Sequence, residues 1–240
     1  MKASLKRISL PVIIMLIVAV SAAFTITACQ PAAKDQKTSE AKADYTITKV
    51  NGDIHWEDIP AFDIDQVLWT EDYGIRAKGQ LCYDKENLYV HLSAAEKDIR
   101  AENTEPLLPV YEDSCLEFFF MLEGEEKYFN FEVNPNGVLN KQVGITKTDR
   151  TSLVREDEKE YFDIRTDWTS DGWEVYYKIP LEFIKVFYPD YEYKGVLLAN
   201  AYKCGNKTVN KHYIAWKPVN SEKPNFHVTS SFGRMIFGDQ

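Results

Sequence analysis

Two carboxylates and an amide recur at alternate positions of two neighbouring strand-like segments, Ser114–Leu122 and Tyr128–Asn134. Because side chains alternate between the faces of a strand, Glu117 lies on one face of the first segment, and Asn130 and Glu132 share a face of the second. A short turn pairs the segments with Glu117 opposite Glu132, their β-carbons about 5 Å apart. Such carboxylates accept hydrogen bonds from hydroxyl groups, and glycosidases that retain configuration use a pair at a similar separation. The pattern indicates a site for a polyhydroxylated ligand, which is either bound or cleaved.

The opposite face of both segments is apolar. Its members are Leu116, Phe118, Phe120, Leu122, Phe129, Phe131 and Val133. This face predicts a buried aromatic layer behind the polar side chains. A sheet built in this way suits a bound sugar, and it is not the pattern of a nucleotide or nucleic-acid binder. The alternative interpretation of the polar side chains is a solvated sheet face.

Short alternating runs recur along the rest of the chain, with turn signals between them. The runs are Gly79–Tyr83, Asn87–Ala94, Val138–Ile145, Tyr161–Thr166, Trp173–Ile179, Val196–Lys203 and Tyr213–Trp216. Their number and spacing predict an all-β fold, an antiparallel β-sandwich. One short helix is expected after Pro180, since proline suits the first helical position.

The N-terminus has the pattern of a targeting segment. Residues 1–28 carry basic residues, then an apolar stretch at Ile8–Ala23, then small residues that lead to Cys29. This order resembles a bacterial lipoprotein signal in which Cys29 is lipidated, with a single transmembrane anchor as the alternative. Residues 29–44 have no apolar face and predict a flexible tether, which leaves 45–240 as one domain. We therefore expect an exported protein, lipid-anchored to the bacterial cell envelope.

Charge and cysteine content exclude several partners and cofactors. The chain has 37 acidic and 28 basic residues and a net charge of −9, which argues against nucleic acid and against membrane contact other than the anchor. Cys82, Cys115 and Cys204 are widely spaced in strand-like runs. An odd number of such cysteines favours buried free thiols over a metal site, with one disulfide plus one thiol as the alternative.

Several motifs occur in an order that is familiar. They are Asn51-Gly52-Asp53 with Trp56, Cys82–Val90, Glu112–Phe119, Phe131–Gly137, Trp173–Val175 with Ile179-Pro180, Asn200–Gly205, Trp216–Pro218, Phe226-His227 and Phe232-Gly233. Together they resemble the family 9 carbohydrate-binding modules, from about Val50 to Phe237. The resemblance implies a DOMON-like, jelly-roll pair of sheets that binds sugar, often at chain ends, between two aromatic side chains.

The resemblance also implies which residues contact the ligand. The two aromatic positions correspond to Tyr111 and Phe226, where tryptophan is common in the family, so a smaller platform is expected here. Glu117 matches an acidic sugar-contacting position, whereas the position of Glu132 is basic in some members. The full set of predicted ligand-binding residues is Tyr111, Glu117, Asn130, Glu132, Phe226 and His227. Some members bind structural calcium; no EF-hand pattern occurs in this sequence, and no other cofactor is expected.

The sequence thus predicts a lipoprotein that binds an oligo- or polysaccharide without cleaving it. Glycan-degrading enzymes or a transporter are the expected neighbours in the envelope. One alternative is a glycan hydrolase that uses Glu117 with Glu132 or Asp113. Another alternative is a structural lipoprotein that has kept the fold and lost the sugar site.

Overall fold

The computed structural model describes residues 43–238 of the 240-residue chain. The predicted signal segment, Cys29 and all but the end of the predicted tether lie outside the described residues. Within 43–238, no helix is long and apolar enough to cross a membrane. The compact unit Ala41–Gln240 contains the whole described hydrophobic core, which is what a domain needs in order to fold alone.

The described residues form fourteen strands and two short α-helices. The strands are β1 Tyr45–Lys49, β2 Ala61–Ile64, β3 Gln66–Val67, β4 Arg76–Tyr83, β5 Asn87–Ala95, β6 Cys115–Leu122, β7 Tyr128–Val133, β8 Leu139–Gly144, β9 Arg150–Ser152, β10 Arg165–Trp168, β11 Gly172–Pro180, β12 Val196–Gly205, β13 His212–Ala215 and β14 Gly233–Phe237. The helices are α1 Glu158–Tyr161 and α2 Leu181–Lys185, and short 3-10 turns lie at Trp56–Asp58, Val110–Glu112 and Thr229–Ser231.

Strand β1 joins the two layers of the fold. It pairs in parallel with β14 on one side and with β4 on the other. One layer runs β10-β11-β5-β4, and the other runs β14-β12-β6-β7-β8-β9. The all-β sandwich is confirmed, but the sheet is mixed rather than purely antiparallel. Only strands joined by a tight hairpin are forced to be antiparallel, and β1 has no hairpin partner.

The hydrophobic core lies between the two layers. The Phe131 ring of β7 stacks on the Tyr177 ring of β11, with centroids 6.0 Å apart and ring planes 3° from parallel. The rings of Phe162 and Phe183 pack edge-on against Phe131. All seven predicted apolar residues of β6 and β7 are buried in this core. The buried aromatic layer predicted for these strands is therefore confirmed.

The helices correct one predicted strand. The helix expected after Pro180 is present as α2, whereas the predicted strand Tyr161–Thr166 is wrong at its start. Tyr161 ends helix α1, and β10 begins only at Arg165. Between them Asp163 has a positive φ of 47°, a left-handed conformation that aspartate tolerates and that ends the helix.

The outer face of β6 and β7 has the predicted register and an unexpected environment. Glu117 pairs with Glu132, and Phe119 pairs with Asn130, as predicted. These four side chains are buried, so the interpretation as a solvated face is wrong. A second apolar cluster covers this face, formed by Val110, Cys115, Phe119, Tyr128, Tyr202, Cys204, Tyr213, Ala215, Val219 and Phe226. The prediction of three buried free thiols is confirmed.

Candidate functional site

A pocket of about 650 Å³ opens on the outer face of the β6–β9 part of the sheet. This volume lies within the range of small-molecule sites in proteins. Five of the six predicted ligand-binding residues line it: Tyr111, Glu117, Glu132, Phe226 and His227. Asn130, the sixth, is fully buried and is not among the lining residues. The fold therefore brings the predicted set together, with Asn130 in a supporting position.

The floor of the pocket is formed by two opposed carboxyl groups. Glu117 and Glu132 are only 2% and 4% exposed. Both oxygens of Glu132 accept hydrogen bonds from amides, from Asn130 Nδ2 at 2.8 Å and from Asn140 Nδ2 at 3.0 Å. Burial raises the pKa of Glu132, and these amides with the charge of Arg150 lower it in part. Glu132 is thus held in one orientation by its neighbours.

Glu117 has fewer partners and a different electrostatic environment. Its Oε1 accepts a hydrogen bond from the Cys204 thiol at 3.0 Å. Burial raises the pKa of Glu117 well above its ordinary value, and the neighbouring Cys204 and Glu132 raise it further. A carboxyl group held towards its neutral form can donate as well as accept hydrogen bonds, as sugar hydroxyls require. Cys115 lies beside Glu117 and Cys204, and these three side chains could together hold a metal ion.

The pocket has two aromatic residues in its lining: the ring of Phe226 is held by its neighbours, and Tyr111 is exposed. Phe226 stacks on Tyr202 with centroids 4.0 Å apart and ring planes 9° from parallel. The Tyr202 hydroxyl also donates to the Phe226 carbonyl oxygen at 3.0 Å. Tyr111, on the 3-10 turn Val110–Glu112, is 42% exposed. The two predicted aromatic residues therefore differ, since Phe226 is locked in place and Tyr111 is accessible to a ligand.

His227 lines the pocket, and its imidazole ring is neutral at physiological pH. Burial and the charge of Arg150 lower the pKa of His227 to about 3. Its Nδ1 lies 2.9 Å from the Tyr128 hydroxyl, and Arg150 Nη1 lies 2.9 Å from the same nitrogen. Arg150 Nη1 also lies 3.4 Å from Asn130 Oδ1. His227 and Asn130 thus fix Arg150 at the edge of the pocket.

Sequence reasoning missed the contribution of strands β8 and β9. Asn140 and Gln142 of β8, and Arg150 and Ser152 of β9, line the pocket. Alternation on β8 was available as a signal, because Asn140 pairs with Glu132 and therefore shares its face. No such signal existed for β9, whose three residues are too few to show a period.

Asp113, the other carboxylate considered for catalysis, lies outside the pocket lining. It is fully buried, and its Oδ2 accepts hydrogen bonds from the backbone amides of Glu102 and Asn103 and from Asn134 Nδ2. These bonds hold the 102–103 segment against the end of β7. Asp113 therefore has a structural role.

The sequence of this chain matches the model of a known family. The family model described as carbohydrate-binding family 9 matches residues 49–237. The chain belongs to carbohydrate-binding family 9. Family 9 proteins are non-catalytic carbohydrate-binding modules, which agrees with the prediction of a protein that binds carbohydrate without cleaving it. The predicted resemblance is confirmed over nearly the same range.

Solved structures agree with the family 9 assignment. A candidate carbohydrate-binding protein from Bacteroides uniformis is 25% identical, with a TM-score of 0.69 over 80% of this chain and 97% of that one. A family 9 module from Caldicellulosiruptor kristjanssonii in complex with glucose is 14% identical, with a TM-score of 0.56 over 81% of this chain and 95% of that one. A family 9 module from the same organism in complex with cellotriose is 14% identical, with a TM-score of 0.56 over 82% of this chain and 94% of that one. At 14% identity these two complexes share the fold alone with this family 9 chain. No curated protein matches it.

Proposed function

We propose that the pocket binds the end or a short stretch of a saccharide chain, with the sugar ring packed against Tyr111 and Phe226. The observation that carries the proposal is the convergence of two aromatic residues and an opposed pair of buried carboxyl groups on one 650 Å³ pocket. Aromatic faces pack on the C–H faces of a sugar and exclude water. A few convergent polar groups then fix its orientation.

Each polar residue has a distinct role in this proposal. Glu117 exchanges hydrogen bonds with sugar hydroxyls, since among the described residues its side chain has one hydrogen-bond partner, the Cys204 thiol. Glu132 accepts from a second hydroxyl while Asn130 and Asn140 hold it in place. His227 orients Arg150, whose guanidinium supplies donors at the pocket edge.

Tyr111→Ala is expected to weaken saccharide binding about tenfold, equivalent to about 1.4 kcal/mol, because it removes the accessible aromatic wall. Calorimetric titration of the Ala41–Gln240 unit with gluco-oligosaccharides and a wider glycan panel measures this loss. Glucose and cellotriose are sensible first ligands, since they occupy the Caldicellulosiruptor modules. Each saccharide is tested with its reducing end intact and reduced, and with and without calcium, which some family members bind.

The control for this titration is Tyr73→Ala. Tyr73 is 44% exposed, nearly the same as Tyr111, and it lies outside the pocket lining. The Tyr73→Ala variant should bind saccharide with the affinity of the unchanged protein. Equal losses in both variants would overturn the role proposed for Tyr111. No saturable binding to any glycan by the folded protein would overturn the whole proposal and favour a structural lipoprotein.

We also propose that the protein is exported and anchored to the envelope through lipidated Cys29. The support is the order of basic residues, apolar stretch and small residues before Cys29 in the sequence. Cys29→Ser is expected to abolish labelling by radioactive fatty acid, because it removes the thiol that carries the lipid. Cys82→Ser should stay lipidated, and an anchored, labelled Cys29→Ser protein would refute the anchor. An anchored module of this kind holds glycans near degrading enzymes or a transporter.

A further inference from the structure

Three side chains of metal-binding type meet on the outer face of β6 and β12. Cys115 and Cys204 are directly opposed across the two strands. Glu117 follows Cys115 by two positions on β6 and therefore points to the same face. Their sulfur and carboxyl oxygen atoms all lie within 4.8 Å of one another. Two adjacent strands inside the sheet hold this arrangement, so little reorganisation is needed to close it around an ion.

The two thiols are free and form one cluster with the Glu117 carboxyl group. Neither is more than 1% exposed. The Cys204 thiol donates to Glu117 Oε1 at 3.0 Å. The ligand form of cysteine is the thiolate, so a bound cation must displace the thiol protons.

Two of the three side chains line the pocket, and the third, Cys115, is fully buried. Glu117 and Cys204 line the pocket, so a small cation can reach them from solvent. Glu132, opposite Glu117, adds a second carboxyl group at the pocket floor. The Lys203 ammonium, on the other face of β12, lies 3.1 Å from Glu96 Oε2, which neutralises it.

We propose that Cys115, Glu117 and Cys204 bind one zinc-class divalent cation at the floor of the pocket. Two sulfur ligands and one carboxylate suit Zn²⁺ and Cd²⁺, whereas Ca²⁺ and Mg²⁺ take oxygen ligands. Binding converts both thiols to thiolates and requires Glu117 as its carboxylate, so the two thiol protons and any proton on Glu117 pass to the buffer. Three protein ligands leave a further position towards the pocket, which water or a ligand hydroxyl can fill. The inference does not depend on saccharide binding, because it concerns the sugar-free protein.

Cadmium titration of the reduced Ala41–Gln240 unit tests the site directly. The thiolate-to-cadmium absorption band should saturate at about one equivalent. Calorimetry in buffers of different ionisation enthalpy should show at least about two protons released per ion. Cys115→Ser and Cys204→Ser should each lose at least about tenfold in affinity, as is typical for a lost ligand interaction. Cys82→Ser is the matched control, because Cys82 is an equally buried free thiol on β4.

Several outcomes would overturn the site. These are no saturable band in the reduced protein, unchanged binding by Cys115→Ser or Cys204→Ser, or the same loss in Cys82→Ser. If the serine variants do not fold, zinc-edge X-ray absorption of the unchanged protein decides: two sulfur neighbours support the site, and nitrogen and oxygen neighbours alone refute it. A Cys115–Cys204 disulfide in protein isolated from cells would also refute it.

Discussion

Glu96→Ala is expected to lower the free energy of unfolding by about 3–5 kcal/mol, because it leaves a buried ammonium without its carboxylate. Lys203 and Glu96 have side chains that are 0% and 2% exposed, with 3.1 Å between Nζ and Oε2. Lys203 Nζ also donates to the Cys204 carbonyl and lies 2.8 Å from His212 Nε2. Burial and the Lys203 charge lower the pKa of His212 to about 3, so its neutral ring can accept from the ammonium. Denaturant titration measures the loss.

The control is an ion pair of the same chemistry on the surface. Glu192 and Lys194 are 63% and 62% exposed, with 2.9 Å between their charged atoms. Glu192→Ala should cost at most about 1 kcal/mol, as exposed pairs do. The double variant Glu96→Leu with Lys203→Met should recover most of the loss, because no unpaired charge remains. A Glu96→Ala protein within 1 kcal/mol of the unchanged chain would contradict the assigned role of the pair.

The sequence predicted those features that depend on neighbouring residues. Alternation along β6 and β7, with a short turn between them, was enough to predict the Glu117–Glu132 register and the buried face of Phe118 and Phe131. The parallel pairing of β1 was not predictable in this way, because no local turn fixes its direction. Helix α1 was missed because four residues are too few to show a helical period.

The candidate site could likewise be predicted only where it depends on neighbouring residues or on the family resemblance. The residues named from the sequence converge because they lie on adjacent strands or on positions that the family resemblance supplied. The opposition of Cys115 and Cys204 was not predicted, since it depends on pairing between β6 and β12, which are distant in the chain. The burial of the outer face was also missed, because distant segments that carry Val110, Val219 and Phe226 cover it.

The two faces of β7 should separate stability from binding. Phe131→Ala is expected to lower the free energy of unfolding by about 3–5 kcal/mol, as the loss of a buried aromatic ring does. Phe131 is fully buried among the rings of Phe120, Phe162, Tyr177 and Phe183, whereas its neighbours Asn130 and Glu132 point to the pocket side. Denaturant titration at low temperature measures the loss, and saccharide titration of the remaining folded protein measures the pocket.

Tyr111→Ala should give the reverse result, a weaker affinity at nearly unchanged stability, because its side chain is 42% exposed and packs little. Each variant is thus the control for the other. If Phe131→Ala weakened saccharide binding at full folding as much as Tyr111→Ala does, the core and the pocket would be mechanically coupled through β7. If its affinity stays within about twofold of the unchanged protein, the core serves only to hold the strand, and recognition belongs to the outer face alone.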